Sequence, residues 1–106
     1  MRALIIGVDL GDPDYSAHYA EFEMLALGAG AEIVATLTAK RDRPDAAYFI
    51  GTGKVDEAVA LALSSEADIV LFDQPLSPAQ QRNLERQINL RVVDRVALIL
   101  DIFALR

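Results

Sequence analysis

The sequence contains no cysteine and one histidine among its 106 residues. The first absence excludes a disulfide framework and thiolate metal sites, and fits a reducing compartment. The second leaves His18 with no other histidine or cysteine to share a metal or a proton, so its expected place is the surface or half-buried flank of a helix. No membrane span is expected. The N-terminal stretch from Met1 to Asp12 carries one basic residue, and its short apolar run stops at Asp9, which also makes it a poor secretory signal. The default location is the cytoplasm. A nucleophile elbow, a histidine pair and a usable triad are all missing, which leaves an independent hydrolase or transferase nothing to act through. Aromatic content is only 7% against 53% hydrophobic residues, so the core is expected to be aliphatic.

What is present suits one domain over residues 1–106, with room for a real core but not for a second one. The net charge of −6 argues against general affinity for nucleic acid, yet it is unevenly spread. Residues 1–75 sum to −8 and residues 76–106 to +2, so the last third is locally basic.

The best specified stretch runs from Ile69 to Asn89. Ile69, Val70, Leu71 and Phe72 form an unbroken apolar run, the pattern of a strand covered on both faces. Asp73 ends it. Ser77 then serves as a helix N-cap with Pro78 at the first helical position, and Gln80, three residues after the cap, completes a capping box. Leu84 and Ile88 are the only large apolar anchors of this helix. Gln81, Arg82, Asn83, Glu85, Arg86 and Gln87 occupy the rest of its circumference, either as a recognition surface or as a solvated outer face. Asn89 suits a left-handed cap.

Arg2 to Val8 reads as a buried first strand with Gly7 allowing close backbone approach, followed by an acidic loop at Asp9, Gly11, Asp12 and Asp14. A helix follows from Tyr15 to about Ala29, its face formed by His18, Phe22, Leu25 and Ala29, with Gly28 or Gly30 as the stop. Strand two, Glu32 to Ala39, places Ile33, Ala35 and Leu37 on one side and Glu32, Val34, Thr36 and Thr38 on the other, the pattern of an edge strand. The charged loop from Lys40 to Asp45 is expected to be exposed and mobile. Helix two runs from Gly51-Thr52-Gly53-Lys54 to about Ser65 with Val55, Ala58, Val59 and Ala62 facing inward. Its glycines do not make a Walker A loop, because the two further positions that motif requires are filled by Tyr48 and Val55.

Arg91 to Asp94 reads as a fourth strand. Arg95 to Arg106 then reads as a helix with Val96, Ile99, Leu100 and Phe103 on one face and Leu98, Ile102 and Leu105 on others, so it needs cover from more than one direction. Alternating strands and helices imply an α/β fold: a four-stranded, mostly parallel sheet in the order 2-1-3-4 with helices on both faces. Helices two and three share one face. The C-terminal helix must join helix one on the other, and it is expected to lead into a downstream region absent from this sequence.

Three motifs in order add a resemblance: Gly51-Thr52-Gly53-Lys54-Val55-Asp56-Glu57; Phe72-Asp73 with Leu76-Ser77-Pro78 and Gln81-Arg82-Asn83-Leu84-Glu85; and Val93-Asp94-Arg95 with Leu98-Ile99-Leu100-Asp101-Ile102-Phe103-Ala104. Together they resemble the N-terminal domain of the HflX family of ribosome-associated GTPases over residues 40–106. The resemblance implies a helical segment and a GTP-binding domain beyond this chain, with GTP and magnesium held there. It also implies partnership with the large ribosomal subunit and its rRNA, contact with the protein's own GTP-binding domain, and a role in splitting stalled ribosomes. This chain would be the non-catalytic module.

Among the motif residues, Ser77, Pro78, Gly51, Gly53 and Asp94 have sufficient structural reasons to be where they are. Lys54, Arg82, Asn83, Arg86 and Arg95 are the candidates for rRNA or interdomain contact, the basic groups for phosphates and the amide for shape-dependent hydrogen bonds. A different class of function stays open. A small molecule or nucleotide could sit at the C-terminal ends of strands one and three, lined by Asp9, Gly11 and Asp73 with Lys54 nearby and no metal held by the chain itself; the two carboxylates disfavour bare phosphate but accommodate a ribose or a magnesium-bound nucleotide.

Overall fold

Aliphatic runs too short for helices alternate here with helical stretches, and the chain answers with four parallel strands and four helices. A computed structural model describes residues 1–104, with side chains through Asp101. The elements are β1 (Arg2–Asp9), α1 (Tyr15–Gly28), β2 (Glu32–Lys40), α2 (Thr52–Ser64), β3 (Ile69–Phe72), α3 (Pro78–Ile88), β4 (Arg91–Asp94) and α4 (Arg95–Ala104). The sheet runs β2-β1-β3-β4, with every neighbouring pair parallel. This is the topology that the strand and helix alternation predicts. The expected place of Leu105 falls outside the described residues, as do the faces expected for the side chains of Ile102 and Phe103.

Two cores flank the sheet because β1 and β3 send alternate residues to opposite sides. Leu4, Ile6, Val8, Val70 and Phe72 meet α2 and α3 through Val55, Ala58, Ala62, Leu84 and Ile88. Ala3, Ile5, Ile69 and Leu71 meet α1 and α4 through Phe22, Ala26 and Leu98. The C-terminal helix therefore shares its layer with α1, as the sheet order requires.

Two local readings need correction. In β2 the pairing with β1 slips between Ala3 and Leu4, leaving Val34 as the extra residue of a bulge. Ile33 consequently joins the α1/α4 core, whereas Ala35 and Leu37 join the other, so the three do not share a face. In α1, Phe22, Leu25 and Ala29 pack on the core as expected, joined by Ala26 and Tyr19, while His18 leaves that face, is exposed and pairs with Asp12. The tyrosines can lie flat on β1 because Gly7 has no side chain. A Cβ there would fall 2.6 Å from the Tyr19 ring and nearer still to the Tyr15 hydroxyl.

The charged loop after β2 is shorter and better anchored than its composition suggests. Lys40 completes β2, and the Asp45 carboxylate accepts hydrogen bonds from Ala47 N at 2.8 Å and Tyr48 N at 3.0 Å. Asp45 and Phe49 also exchange backbone hydrogen bonds, which holds Phe49 at a left-handed φ of 67°. Left-handed backbone is uncommon for a bulky residue and persists only where the surroundings fix it. Here the Phe49 ring is buried against Phe72, edge to face at 5.3 Å.

Candidate functional site

The polar helix α3 is the place to start, since most of the candidate contact residues lie on it. Its N-terminus forms as its sequence predicts. Ser77 Oγ accepts from Gln80 N at 3.1 Å, and the Gln80 side chain accepts from Ser77 N at 2.8 Å. Asn89 closes the helix at φ 61°.

Between those ends, the side chains that could pass for a recognition surface are largely engaged with neighbouring backbone. Gln81 Nε2 donates to Val92 O at 3.0 Å, and Val92 N donates to Glu85 Oε2 at 3.0 Å. Val92 lies on an outer strand of the sheet, whose outward N–H and C=O would otherwise be an open edge. Gln80 Nε2 donates to Asp45 O at 2.8 Å and Asn83 Nδ2 to Ala47 O at 2.9 Å, so α3 also clamps the turn before α2. Gln87, Arg82 and Arg86 are left, and the two arginines are the charged ones. Both are exposed, one turn apart on the same face, and neither forms an ion pair among the described residues.

The other candidates are occupied differently. Lys54, in the first turn of α2, pairs with Glu57 at 3.1 Å, which offsets the unfavourable placing of a cation at a helix N-terminus. Arg95 is mostly covered, lies 5.6 Å from the centre of the Phe22 ring and reaches Glu21 at 3.7 Å. It fastens α4 to α1. Asp94 likewise has a structural task, accepting from Ala97 N at the start of α4 and from Leu76 N in the preceding loop, both at 2.9 Å.

The proposed crevice at the ends of β1 and β3 is closed by its own residues. Val8 N donates to Asp73 Oδ1 at 2.9 Å, the Tyr15 hydroxyl donates to Asp73 Oδ2 at 2.8 Å, and Gln74 Nε2 donates to Val8 O at 3.0 Å. Burial raises the Asp73 carboxyl above the usual carboxylate range, against the lowering influence of the two donors. Burial is also the main reason that the Tyr15 phenol lies above its ordinary value. Asp9 and Gly11 instead line an open hollow of about 360 Å³ beside Lys40, Arg41 and Asp42. Asp73 faces a separate one of about 400 Å³ with Tyr15, His18 and Arg95. Among the described residues Asp9 and Gly11 share one hollow, Asp9 shares another of about 410 Å³ with Tyr15 and Lys54, and Asp73 lines neither of these two.

Sequence reasoning missed the bond from Tyr15 to Asp73 and the two-pronged hold on Val92. A polar residue at each end of a buried strand hinted at the first. The second left its trace in the spacing of Gln81 and Glu85, which puts both on one helical face. Among the described residues no group of three or more histidine, aspartate and glutamate side chains could hold a metal, and no helix is long and apolar enough to cross a membrane.

Comparison with solved structures bears on the fold. The whole chain superposes on 31% of a GTP-binding protein from the hyperthermophilic archaeon Sulfolobus solfataricus, solved in complex with GDP, with a TM-score of 0.74 at 20% identity. That likeness establishes the fold, a small parallel α/β domain. Sequence comparison is more specific. Residues 16–104 match the family model described as GTP-binding GTPase N-terminal. The chain is 50% identical over 86 residues to GTPase HflX of Escherichia coli K12, covering 81% of this chain and 20% of that protein. It is 41% identical over 107 residues to GTPase HflX of Alkalihalophilus pseudofirmus, covering 99% and 25% respectively. The chain belongs to the HflX GTPase family and corresponds to its N-terminal domain. It spans a fifth to a quarter of the length of these curated relatives.

Proposed function

We propose that this chain is the non-catalytic, ribosome-engaging module of a cytoplasmic GTP-binding protein that docks on the rRNA of the large ribosomal subunit and helps to split stalled ribosomes under stress. One observation carries the surface assignment. On a helix whose other polar side chains mostly hold the fold together, Arg82 and Arg86 remain exposed and without an ion-pair partner among the described residues. Two guanidinium groups one turn apart suit phosphate oxygens spaced along a nucleic-acid backbone. The locally basic last third of the sequence supports the same reading.

GTP and magnesium do not fit the residues present. Lys54 follows Gly53 but is committed to Glu57, and the positions that a phosphate loop would need are Tyr48 and Val55. Their place is the remainder of a longer protein. The small-ligand reading is weakened by the closed ends of β1 and β3, since a ligand there would have to displace three hydrogen bonds centred on Val8 and Asp73.

The test is binding of the complete gene product to isolated large ribosomal subunits, comparing it with its Arg82→Glu/Arg86→Glu variant at several salt concentrations. Loss of two phosphate contacts should weaken binding by at least about tenfold and flatten the salt dependence by roughly one to two units of slope, with the circular dichroism unchanged. Equal affinity and equal salt slope would remove α3 as the docking face.

A further inference from the structure

The two helical layers of this domain differ in what they show to the outside. On the α1/α4 side the inward faces are filled by Phe22, Ala26 and Leu98, but the outward faces stay apolar. Met24 is 71% and Leu27 57% exposed on α1, and Val96 is 50% and Leu100 62% exposed on α4. The two helices are in contact, fixed by Arg95 to Glu21 and Phe22, and Ile99 on α4 is half-buried. Ala17 and Ala20 extend the α1 stripe with small side chains. A charged outer face is the usual solution for a helix that ends its packing in water. Scattered exposed hydrophobes need no explanation, but two adjoining stripes do.

We propose that this outer α1/α4 surface is a docking face for the chain that follows α4 in a longer protein. The matched family is defined as N-terminal, and the relatives continue for three to four times the length matched here, so the additional chain lies on the C-terminal side, where α4 leads. The size of the patch favours a tethered occupant over a separate one. A stable complex between independent chains buries about 1,200–2,000 Å² in total, more than a patch built on four large side chains offers. A segment joined to α4 by a short link meets the patch at an effective concentration of about millimolar, so a small apolar contact suffices. Glu23 on α1 and Asp101 on α4 neighbour Met24 and Leu100 in sequence, and the one basic side chain on the two helices apart from His18, Arg95, is already paired with Glu21. The occupant is therefore a segment with an apolar stripe bordered by basic side chains. The inference goes beyond the ribosome reading and does not depend on it.

The absence of cysteine makes a direct test available. Met24→Cys and Leu100→Cys would be introduced singly, with Leu63→Cys as an exposed control on the opposite layer, where Leu63 is 75% exposed. Maleimide labelling would be followed on the peptide carrying the probe, in the 106-residue chain and in the complete product of the reading frame. We expect labelling at positions 24 and 100 to slow by about tenfold or more in the complete product, the protection given by a docking equilibrium worth about 1.4 kcal/mol. Position 63 should label equally in both. Equal rates at 24 and 100 in the two forms would overturn the proposal, as would a reading frame that stops after Arg106. Concentration-dependent protection of the 106-residue chain alone would overturn it in favour of a second copy. The assay contains no ribosome, so its failure is distinct from a failure of ribosome binding.

Discussion

Helices α3 and α4 follow one another in the chain and invert each other's chemistry. Helix α3 is polar around most of its circumference, yet it is thoroughly integrated. Leu84 and Ile88 are buried, Gln80 and Asn83 hold the turn at Asp45 to Ala47, and Gln81 with Glu85 closes the outer edge at Val92. Helix α4 is apolar on nearly every side, yet Leu98 is its one fully buried large side chain among the described residues, and Val96 and Leu100 face outward. Hydrophobicity counted along a helix thus fails to say how firmly the helix is held. What decides it is whether each group, polar or apolar, meets a partner that water would otherwise have to replace.

Truncating an anchor should give the largest separation between the two. Leu84 is fully buried, so Leu84→Ala removes its transfer energy and leaves a cavity, and should cost about 2–5 kcal/mol. Leu100→Ala, at a position 62% exposed, should stay within about 0.5 kcal/mol in the same chain. Urea unfolding of both variants measures the contrast. A large loss for Leu100→Ala would mean that α4 already has a partner in the isolated domain, and would break the comparison.

Asp73 sits where the two layers meet the end of β3, and it is a comparably sensitive point. Asp73→Ala leaves Val8 N and the Tyr15 hydroxyl without their acceptor in a buried site, and should cost about 1–3 kcal/mol for each group stranded. The native carboxyl also predicts a pH dependence of definite sign. Burial holds its folded value above the unfolded 3.8, so the fold binds this proton more tightly than the open chain does. Its contribution is complete below pH 3.8 and is lost as pH rises through the folded value. Asp12 and Asp45 oppose it, because backbone N–H donors from Asp14 and from Tyr48 respectively lower their values, and their stabilisation is lost as pH falls. Asp73→Asn should therefore steepen the acid limb of a stability curve, whereas Asp45→Asn should flatten it. Chemical denaturation between pH 3 and pH 6 reads both.

The ease with which a feature could be read from sequence follows the range of the interaction behind it. The capping box at Ser77 and Gln80, the left-handed Asn89 and the buried run Ile69 to Phe72 depend on neighbours a few residues away, and all appear as expected. The strand order could be read because right-handed crossovers leave few arrangements, and the C-terminal helix had only one bare face to cover. The bulge at Val34 could not, since a one-residue slip in pairing depends on β1 and leaves no mark on β2 itself. The positive φ of Phe49 was equally hidden: no glycine announces it, and the turn is held by Asp45 and by α3, more than thirty residues away. For the candidate site, the sequence could nominate Arg82, Asn83 and Arg86 together. Only the three-dimensional arrangement separates the amide, which is bound to Ala47 O, from the two guanidinium groups that are not engaged.

Asn83 provides the finest test of the difference between a side chain that holds α3 in place and one that α3 presents. If it is structural, Asn83→Ala loses a single half-buried hydrogen bond to Ala47 O and should cost about 0.5–1.5 kcal/mol. The loss should be local as well as small. Hydrogen exchange should quicken at Tyr48 and Phe49, whose amides donate to Asp45 within the clamped turn, and remain unchanged in β4, which Gln81 and Glu85 still hold. Affinity for large ribosomal subunits should be unaltered in the complete protein. The opposite pattern, unchanged stability and exchange with weakened ribosome binding, would move Asn83 from the scaffold to the contact surface beside Arg82 and Arg86. From α3, the clamped turn would then be held by Gln80 alone, through its 2.8 Å bond to Asp45 O.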